Sequence, residues 1–260
     1  MITVLITNRK GGVGKTTTSV NLAAWLGALG KSVLVIDLDT QSHVQYGFGF
    51  SESFQKGIHY AIKNKEDLSG FVYETTCKNV FFIPADINFH INTLVEDDRQ
   101  LARIIRKSKL KDIFDICIID TPPTSDILLS NALAVSQYAI VPVKTEFLGL
   151  IGVNQFLKIF YATASKVNPE LELLGILPTM FNNSMKEHRL MIEHLEQKVG
   201  KKRVLSPIRN DIKLSMAFLE GKPISYLDKR YRGSKDYQQL AQGIMEKLYK
   251  NKKNKGEKYE

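Results

Sequence analysis

Cysteine and long apolar runs are scarce in this sequence. Its 260 residues include two cysteines, Cys77 and Cys117, which are too few for a disulfide framework or a four-ligand zinc site. No apolar stretch is as long as a membrane span, which needs about eighteen residues. The N-terminus lacks the pattern of a signal peptide. We therefore expect a protein of the cytoplasm.

Internal repeats and Pro- or Ser-rich linkers are also missing. With 43% apolar residues the chain can build one sizeable core, or at most two small ones. Because no repeat or linker divides it, we expect a single domain over residues 1–250. Trp25, the only tryptophan, stands among apolar residues and is expected in that core. Residues 251–260 contain nothing apolar before Tyr259, which predicts a basic disordered tail.

The net charge of +9 is unevenly distributed along the chain. Residues 1–179 contain 17 Lys and Arg and 17 Asp and Glu, whereas residues 180–260 contain 19 against 10. The whole excess therefore belongs to the C-terminal third. Such a surface attracts polyanions such as nucleic acid or an acidic membrane, and a solubilising surface with a lysine-rich end explains the same charge.

Strand-length apolar runs alternate with segments of helical period, which predicts an α/β domain with a doubly wound, mainly parallel sheet flanked by helices. The predicted strands are Ile2–Thr7, Ser32–Leu38, Val80–Ile83, Ile116–Ile119, Tyr138–Val143 and Leu171–Leu177. The predicted helices are Thr16–Leu29, Asp97–Leu110, Asp126–Ser136, Leu150–Val167 and an amphipathic closing helix around Tyr237–Leu248.

A glycine-rich segment joins the first predicted strand to the first predicted helix. Glycines let successive backbone N–H groups face a phosphate, and the helix start adds partial positive charge. Lys15 would reach the β and γ phosphates, and Thr16 would ligate Mg²⁺. The sequence therefore predicts a P-loop site for a nucleoside triphosphate, formed by Gly11, Gly12, Val13, Gly14, Lys15, Thr16 and Thr17.

Carboxylates follow two other predicted strands. Asp37 and Asp39 end the second strand, and Asp120 follows Ile116–Ile119. Acids at the carboxyl ends of parallel strands point into the crevice where ligands bind. Asp120 is placed to hold Mg²⁺ and Asp39 to orient the attacking water, whereas a turn role suffices for Asp37.

These motifs resemble those of a known family. Three segments are similar to the deviant Walker-A ATPases of the ParA/MinD group, namely Lys10–Thr17, Val35–Gln41 and Ile118–Pro123. Four later segments resemble ParA-type partition proteins without an N-terminal DNA-binding domain: Pro142–Glu146, Leu177–Phe181, Ile208–Ser215 and Gly221–Ile224. The resemblance covers nearly the whole chain.

The resemblance implies an ATP- and Mg²⁺-dependent ATPase that dimerises with two ATP molecules at the interface. It implies that Lys10 crosses to the partner's γ-phosphate, that Lys15 is the Walker lysine and that Asp39 is the catalytic carboxylate. The dimer would bind DNA nonspecifically on the nucleoid, and a ParB-like or other partner would stimulate its slow hydrolysis. The cycle would segregate or position a plasmid, chromosome or other cargo.

The DNA-binding residues rest on two kinds of inference. Arg209 and Lys213 lie in a segment that resembles ParA, whereas charge alone suggests Lys202, Arg203, Arg232 and Lys235. The chain also departs from the family pattern at three positions. Thr40, Ser184 and Met216 stand where the family commonly has proline, arginine and glutamate, respectively. These departures concern the partner and cargo more than the ATPase.

Two other functions would also use a P-loop of this kind. The first alternative is a MinD-like membrane-associated positioning ATPase, which would need an amphipathic C-terminal helix with bulky apolar residues. The tail after Tyr249 lacks such anchors, so its basic residues alone would bind anionic lipid only weakly. An electron-transfer protein would need two cysteines at a dimer face to hold an Fe–S cluster, and Cys117 suits a core position better.

Overall fold

Seven strands form one sheet in the middle of the structure, a computed structural model that describes residues 1–90, 97–124 and 127–256. The strands are β1 (Ile2–Ile6), β2 (Val33–Asp37), β3 (Tyr73–Glu74), β4 (Val80–Ile83), β5 (Ile116–Asp120), β6 (Tyr138–Lys144) and β7 (Glu172–Thr179). Their order is β3-β4-β2-β5-β1-β6-β7, and all neighbours are parallel except β3 and β4. The predicted α/β fold is confirmed.

The direction in which the chain travels across the sheet reverses at β1. From β1 the chain passes to β2 and β4 on one side, and β6 and β7 lie on the other. In parallel α/β sheets, ligands bind beyond the carboxyl ends of the strands at such a reversal. The glycine-rich loop follows β1 and therefore lies at this position.

Helices cover both faces of the sheet. They are α1 (Lys15–Ala28), α2 (His43–Gly47), α3 (Ile58–Asn64), α4 (Gln100–Lys107), α5 (Leu110–Ile113), α6 (Ile127–Val135), α7 (Phe147–Val167), α8 (Lys186–Val199), α9 (Ile212–Leu219), α10 (Ile224–Leu227) and α11 (Arg232–Gly256).

Two hydrophobic cores result from the alternation of side chains along the strands. In β5, Ile116 and Ile118 pack with α1 and α11, whereas Cys117 and Ile119 pack with α4, α6 and α7 on the opposite face. Trp25 is 5% exposed within the first of these cores. The core positions predicted for Trp25 and Cys117 are thus confirmed.

The prediction of one helix over Asp97–Leu110 was wrong. The helix α4 ends at Lys107, and a separate helix, α5, begins at Leu110. Ser108 between them is extended, with φ −72° and ψ 151°, and its hydroxyl donates to the Ile105 carbonyl at 2.9 Å. This local hydrogen bond competes with continuation of the helix. The predicted helix start at Asp126 lies outside the described residues, and α6 is described from Ile127.

The closing helix extends beyond its apolar residues. The backbone of α11 is helical through residues 251–256, which belong to the segment whose composition predicts disorder. Lysine favours helix, and no proline interrupts this run before Gly256. Residues 257–260 lie outside the described residues. Within the described part of the chain, no helix is both long and apolar enough to span a membrane.

Candidate nucleotide-binding site

The loop between β1 and α1 has the geometry of a phosphate-binding turn. Gly12 and Gly14 have φ of 68° and 86°, in the left-handed region that favours glycine. A Cβ atom at Gly11 or Gly12 would meet no atom within 4 Å, so a ligand can approach the backbone there. Because α1 begins directly after Gly14, its first N–H groups point toward the same space.

Two residues that the sequence analysis did not identify hold this loop in place. Asn8 is buried; its Nδ2 donates to the Pro142 carbonyl at 2.7 Å, and its Oδ1 accepts from the Lys10 N–H at 3.0 Å. The Thr179 hydroxyl donates to the Val13 carbonyl at 2.9 Å. The loop is therefore tied to the carboxyl ends of β6 and β7. The sequence signals for them are polar residues at strand ends and, for Thr179, its place in the Leu177–Phe181 segment that resembles ParA-type proteins.

Lys15 is buried beneath the loop. Its Nζ donates to the Lys10 carbonyl at 3.2 Å, and 7% of the residue is exposed. Burial lowers the pKa of the Lys15 ammonium, and the carboxylates of Asp120 and Asp39 oppose that shift. The ammonium therefore already lies between the loop and the two acids predicted for the site. Lys10 itself is half-buried in the loop, and Arg9 is exposed.

Two hydroxyl groups from α1 hold the Asp120 carboxylate. Thr16 Oγ1 donates to Asp120 Oδ2 at 2.7 Å, and Ser19 Oγ donates to Asp120 Oδ1 at 2.8 Å. Asp120 is fully buried, and burial raises its pKa to about 6. The two residues that the sequence separately predicts for Mg²⁺ are therefore in contact with each other. Ser19, one turn along α1 from Thr16, was not predicted.

The donor set of Thr16 and Asp120 fits Mg²⁺. Mg²⁺ binds oxygen, and it often takes one or two carboxylates and completes its shell with phosphate oxygens and water. A cation would also favour the ionised form of this buried carboxylate. Among the described residues, no group of three or more His, Cys, Asp and Glu side chains could hold a metal. The remaining ligands would therefore come from the nucleotide and solvent.

Asp37 and Asp39 have different surroundings. Asp37 is fully buried, and its two oxygens accept from the Asp39 N–H at 2.9 Å and the Val44 N–H at 3.3 Å. Burial raises its pKa well above the usual range, and Asp120, its partner across β2 and β5, adds to the shift. Asp37 therefore shapes the turn. The half-buried Asp39 accepts from the Gln41 N–H at 3.0 Å and lies near Lys15.

A cavity of about 320 Å³ continues from the loop toward α9. Gly14 and Thr17 form one wall, and Thr179 and Asn210 contribute polar groups from β7 and the segment before α9. The volume is of the size that small-molecule sites have. A nucleoside attached to phosphates in the loop would lie in this cavity.

The two cysteines are far from forming a common site. Cys77 packs in the core against α1, and Cys117 packs in the core on the opposite face of the sheet. Burial raises the pKa of the Cys77 thiol to about 11 and that of Cys117 to about 12. Fe–S ligands are thiolates. This geometry argues against the electron-transfer function.

Four of the six cations predicted to bind DNA lie close together. Arg209 binds Asp236 with Nε and Nη2 at 2.6 to 3.0 Å. Arg232 donates to the Asn210 carbonyl, and Lys213 Nζ lies 5.4 Å from the centre of the Tyr231 ring. Together with exposed Lys235 in α11, they form what we call the proximal basic group: Arg209, Lys213, Arg232 and Lys235.

Lys202 and Arg203 lie elsewhere. They belong to a 3₁₀ turn after α8, and the chain from Val204 to Arg209 then runs parallel to β7, with bridges Ile176–Val204 and Phe181–Arg209. Five residues of extended chain span about 16 Å. The six cations therefore form two groups, and the proximal group is the one at the edge of the sheet that carries the glycine-rich loop.

Comparison with known proteins places this geometry in context. A family model described as an AAA domain matches residues 1–173. The sporulation initiation inhibitor protein Soj of Bacillus subtilis is 33% identical over 246 residues, which are 93% of this chain and 97% of that protein. The similarity therefore extends beyond the phosphate loop to nearly the whole chain.

Two solved structures are also similar to this chain over nearly its whole length. A putative plasmid partition protein from Borrelia burgdorferi, bound to AMPPNP, has a TM-score of 0.77 and 25% identity, covering 95% of this chain and 99% of that chain. A Mycobacterium smegmatis protein described as cobyrinic acid a,c-diamide synthase, with bound ADP and magnesium, has a TM-score of 0.78 and 26% identity, covering 94% of each chain.

Proposed function

We propose a function from the premise that this chain belongs to the AAA domain family and, over nearly its whole length, to the Soj- and ParA-type partition ATPases. The protein is an ATP-switched DNA binder that segregates or positions a plasmid, a chromosome or another cargo in the cytoplasm. The observation that carries this proposal is the convergence of Lys15, Thr16, Asp39 and Asp120 on one glycine-rich loop.

ATP binding begins with the phosphates in the loop and the nucleoside in the adjoining cavity. The backbone N–H groups of the loop and of the start of α1 bind the phosphates. Lys15 exchanges its contact with the Lys10 carbonyl for phosphate oxygens, which suit a charged donor better. Thr16 and Asp120 would hold Mg²⁺, which would supply positive charge to neutralise the phosphates.

Hydrolysis is assigned to Asp39. Its half-buried carboxylate lies near Lys15, where it can orient a water and hold the water's proton. Asp37 cannot take that role as readily, because both its oxygens accept backbone N–H groups. Lys10 is the cation that we expect to act across a dimer, since it lies outside the turn formed by Gly11 to Gly14. Slow basal turnover, stimulated by a ParB-like or other partner, completes the switch.

DNA binding is assigned to the proximal basic group of the ATP-bound dimer. Lys213, Arg232 and Lys235 offer their charge to phosphates, whereas Arg209 is engaged by buried Asp236 and holds the turn before α9 against α11. Dimerisation places two such groups together, and counterion release from both makes the affinity salt-dependent and independent of sequence. Association with the nucleoid follows.

Substitution Asp39→Ala tests the assignment of hydrolysis. We expect it to abolish most ATP turnover but to leave ATP affinity nearly unchanged, because an interaction made mainly in the transition state affects rate rather than binding. Single-turnover hydrolysis and titration with a fluorescent ATP analogue measure the two quantities. The control is Asp112→Ala, an exposed carboxylate on α5. Normal hydrolysis by Asp39→Ala would refute this role.

A further inference from the structure

We propose that His59 is a positioning residue that fixes the peptide preceding Asp39. His59 lies in the first turn of α3, outside the glycine-rich loop, and its side chain is fully buried. Its Nε2 lies 3.2 Å from the Leu38 carbonyl oxygen, and its Nδ1 lies 3.2 Å from the Asp86 backbone nitrogen. The inference rests on the proposed role of Asp39 in hydrolysis.

The two contacts of His59 define its tautomer. A carbonyl oxygen can only accept, so Nε2 carries the hydrogen and donates to Leu38. The Asp86 N–H can only donate, so Nδ1 accepts. One neutral tautomer therefore satisfies both contacts. The Phe89 ring stacks on the imidazole at 4.2 Å and 14°, which fixes the ring plane.

The helix that carries His59 is itself anchored at the end of β4. Asp86 Oδ2 accepts from the Tyr60 N–H at 2.6 Å, and the Pro84 carbonyl accepts from the Ile58 N–H at 2.9 Å. A Cβ atom at Gly57 would lie 2.1 Å from the Pro84 oxygen, so the start of α3 contacts this loop closely. The backbone that carries the imidazole is therefore held rigidly in place.

The peptide group between Leu38 and Asp39 has hydrogen bonds on both sides, to His59 on one side and to Asp37 on the other. The carbonyl of this peptide accepts from His59, and its N–H donates to Asp37 Oδ1 at 2.9 Å. The preceding N–H, of Leu38, donates to the Asp120 carbonyl at 3.0 Å. The plane of the 38–39 peptide is thus fixed at both ends, and this plane sets the direction in which the Asp39 side chain leaves the backbone.

A positioning role predicts a loss of rate without a loss of binding. Misplacing a reacting group by about 1 Å can cost roughly 100-fold in rate. We expect His59→Asn to lower the single-turnover rate of ATP hydrolysis by roughly 10- to 100-fold while the affinity for a fluorescent ATP analogue stays within about twofold. The asparagine amide takes the place of Nδ1 and leaves the Leu38 carbonyl without its donor.

The conservative variant separates positioning from packing. In His59→Gln, the amide nitrogen stands where Nε2 stands and can donate to Leu38, so hydrolysis should remain within about threefold of wild type. Phe89→Leu, which removes the stacked ring but neither hydrogen bond, is the packing control. If His59→Asn fails to fold, the folded His59→Gln variant still decides, because a large loss of rate in it would overturn the proposal.

A double-variant cycle tests whether His59 acts through Asp39. In an Asp39→Ala background, His59→Asn should cause no further loss of rate, because the group that it positions is already absent. Additive losses would overturn the positioning role and leave the assignment of Asp39 intact. If Asp39→Ala alone hydrolyses ATP normally, the proposed function fails instead. The two failures are therefore distinguishable.

Discussion

At the residue scale, Lys15 illustrates how the site is prepared for a polyanion. The ammonium is buried against a single carbonyl, and burial lowers its pKa, while Asp120 and Asp39 favour its charged form. A triphosphate would supply the additional charge partners that a buried ammonium needs. The motif predicted this residue from the sequence, because the chemistry of phosphate binding constrains residue type and spacing at adjacent positions.

The residues that support the loop could not be predicted in the same way. Asn8, Ser19 and Thr179 contact the loop or Asp120 through bonds that join separate strands and helices. Their residue types are common at turns and helix ends, so residue type alone does not reveal these contacts. His59 is similar: its contacts join α3 to the ends of β2 and β4.

Asp86 should make stability depend on pH. Burial raises its pKa to about 6, above the ordinary value of 3.8, so the folded protein retains a proton that the unfolded chain has released. This contribution to stability is present below about pH 4 and is lost as pH rises through 6, by roughly 3 kcal/mol at most.

The substitution Asp86→Asn isolates that contribution. Urea denaturation of both proteins without nucleotide, from pH 5 to 8, gives the difference in unfolding free energy. We expect wild type to lose stability relative to Asp86→Asn as pH rises, because the asparagine has no charge to bury. A difference that stays constant across this range would contradict the assignment, whatever its absolute size.

At the element scale, the apolar strands were predicted to within one or two residues, and the helices less well. Strand positions follow from continuous apolar runs, which a parallel sheet buries on both faces. Among the helices not predicted, α8 buries only His188, Met191 and Leu195 on a narrow face. Short helices such as α2 and α10 depend on contacts made after folding, and their sequences have no sustained period.

Two glycines in helices give a matched test of helix packing. In α1, a Cβ at Gly27 would lie 2.4 Å from the Lys78 carbonyl oxygen, whereas in α11 a Cβ at Gly243 would meet nothing within 4 Å. Gly27→Ala should destabilise the protein by about 1–3 kcal/mol, because α1 would have to move from the sheet. Gly243→Ala should stabilise it by up to about 1 kcal/mol.

Thermal or urea denaturation of the two variants provides the measurement. Opposite signs are expected from the same chemical change, since only the surroundings of the glycine differ. Equal stabilisation of both proteins would show that α1 can adjust to the added methyl group and would contradict the packing described here.

At the scale of the whole molecule, the structure separates the predicted DNA-binding cations into two groups. Composition alone shows only that the C-terminal third has an excess of positive charge. The proximal basic group lies at the edge of the sheet that carries the phosphate loop. Lys202 and Arg203 precede the extended segment 204–209, which separates them from Arg209 by about 16 Å along β7. Net charge predicts the sign of the charge that a binding partner carries. It cannot predict how the cations are divided, because the division depends on the path of residues 204–209 beside β7.

The division leads to unequal roles in DNA binding. If the ATP-bound dimer presents the proximal group, neutralising Lys213, Arg232 and Lys235 should remove nucleotide-dependent binding. Neutralising Lys202 and Arg203 should lower the affinity by a similar factor in ATP and in ADP, so that the ratio of the two affinities is unchanged. Each phosphate contact that is lost should reduce the slope of log affinity against log salt by about 0.9.

Binding of an unrelated fluorescent DNA duplex, measured by anisotropy with ATP or ADP at two salt concentrations, tests the central claim most directly. We predict tight, salt-sensitive binding in ATP, little in ADP, and loss of the ATP-dependent part in Lys10→Ala, which should not dimerise, but not in the exposed control Lys63→Ala. Anionic liposomes serve as the alternative ligand. Binding to DNA that ignores the nucleotide, or ATP-dependent binding to liposomes with none to DNA, would contradict the account.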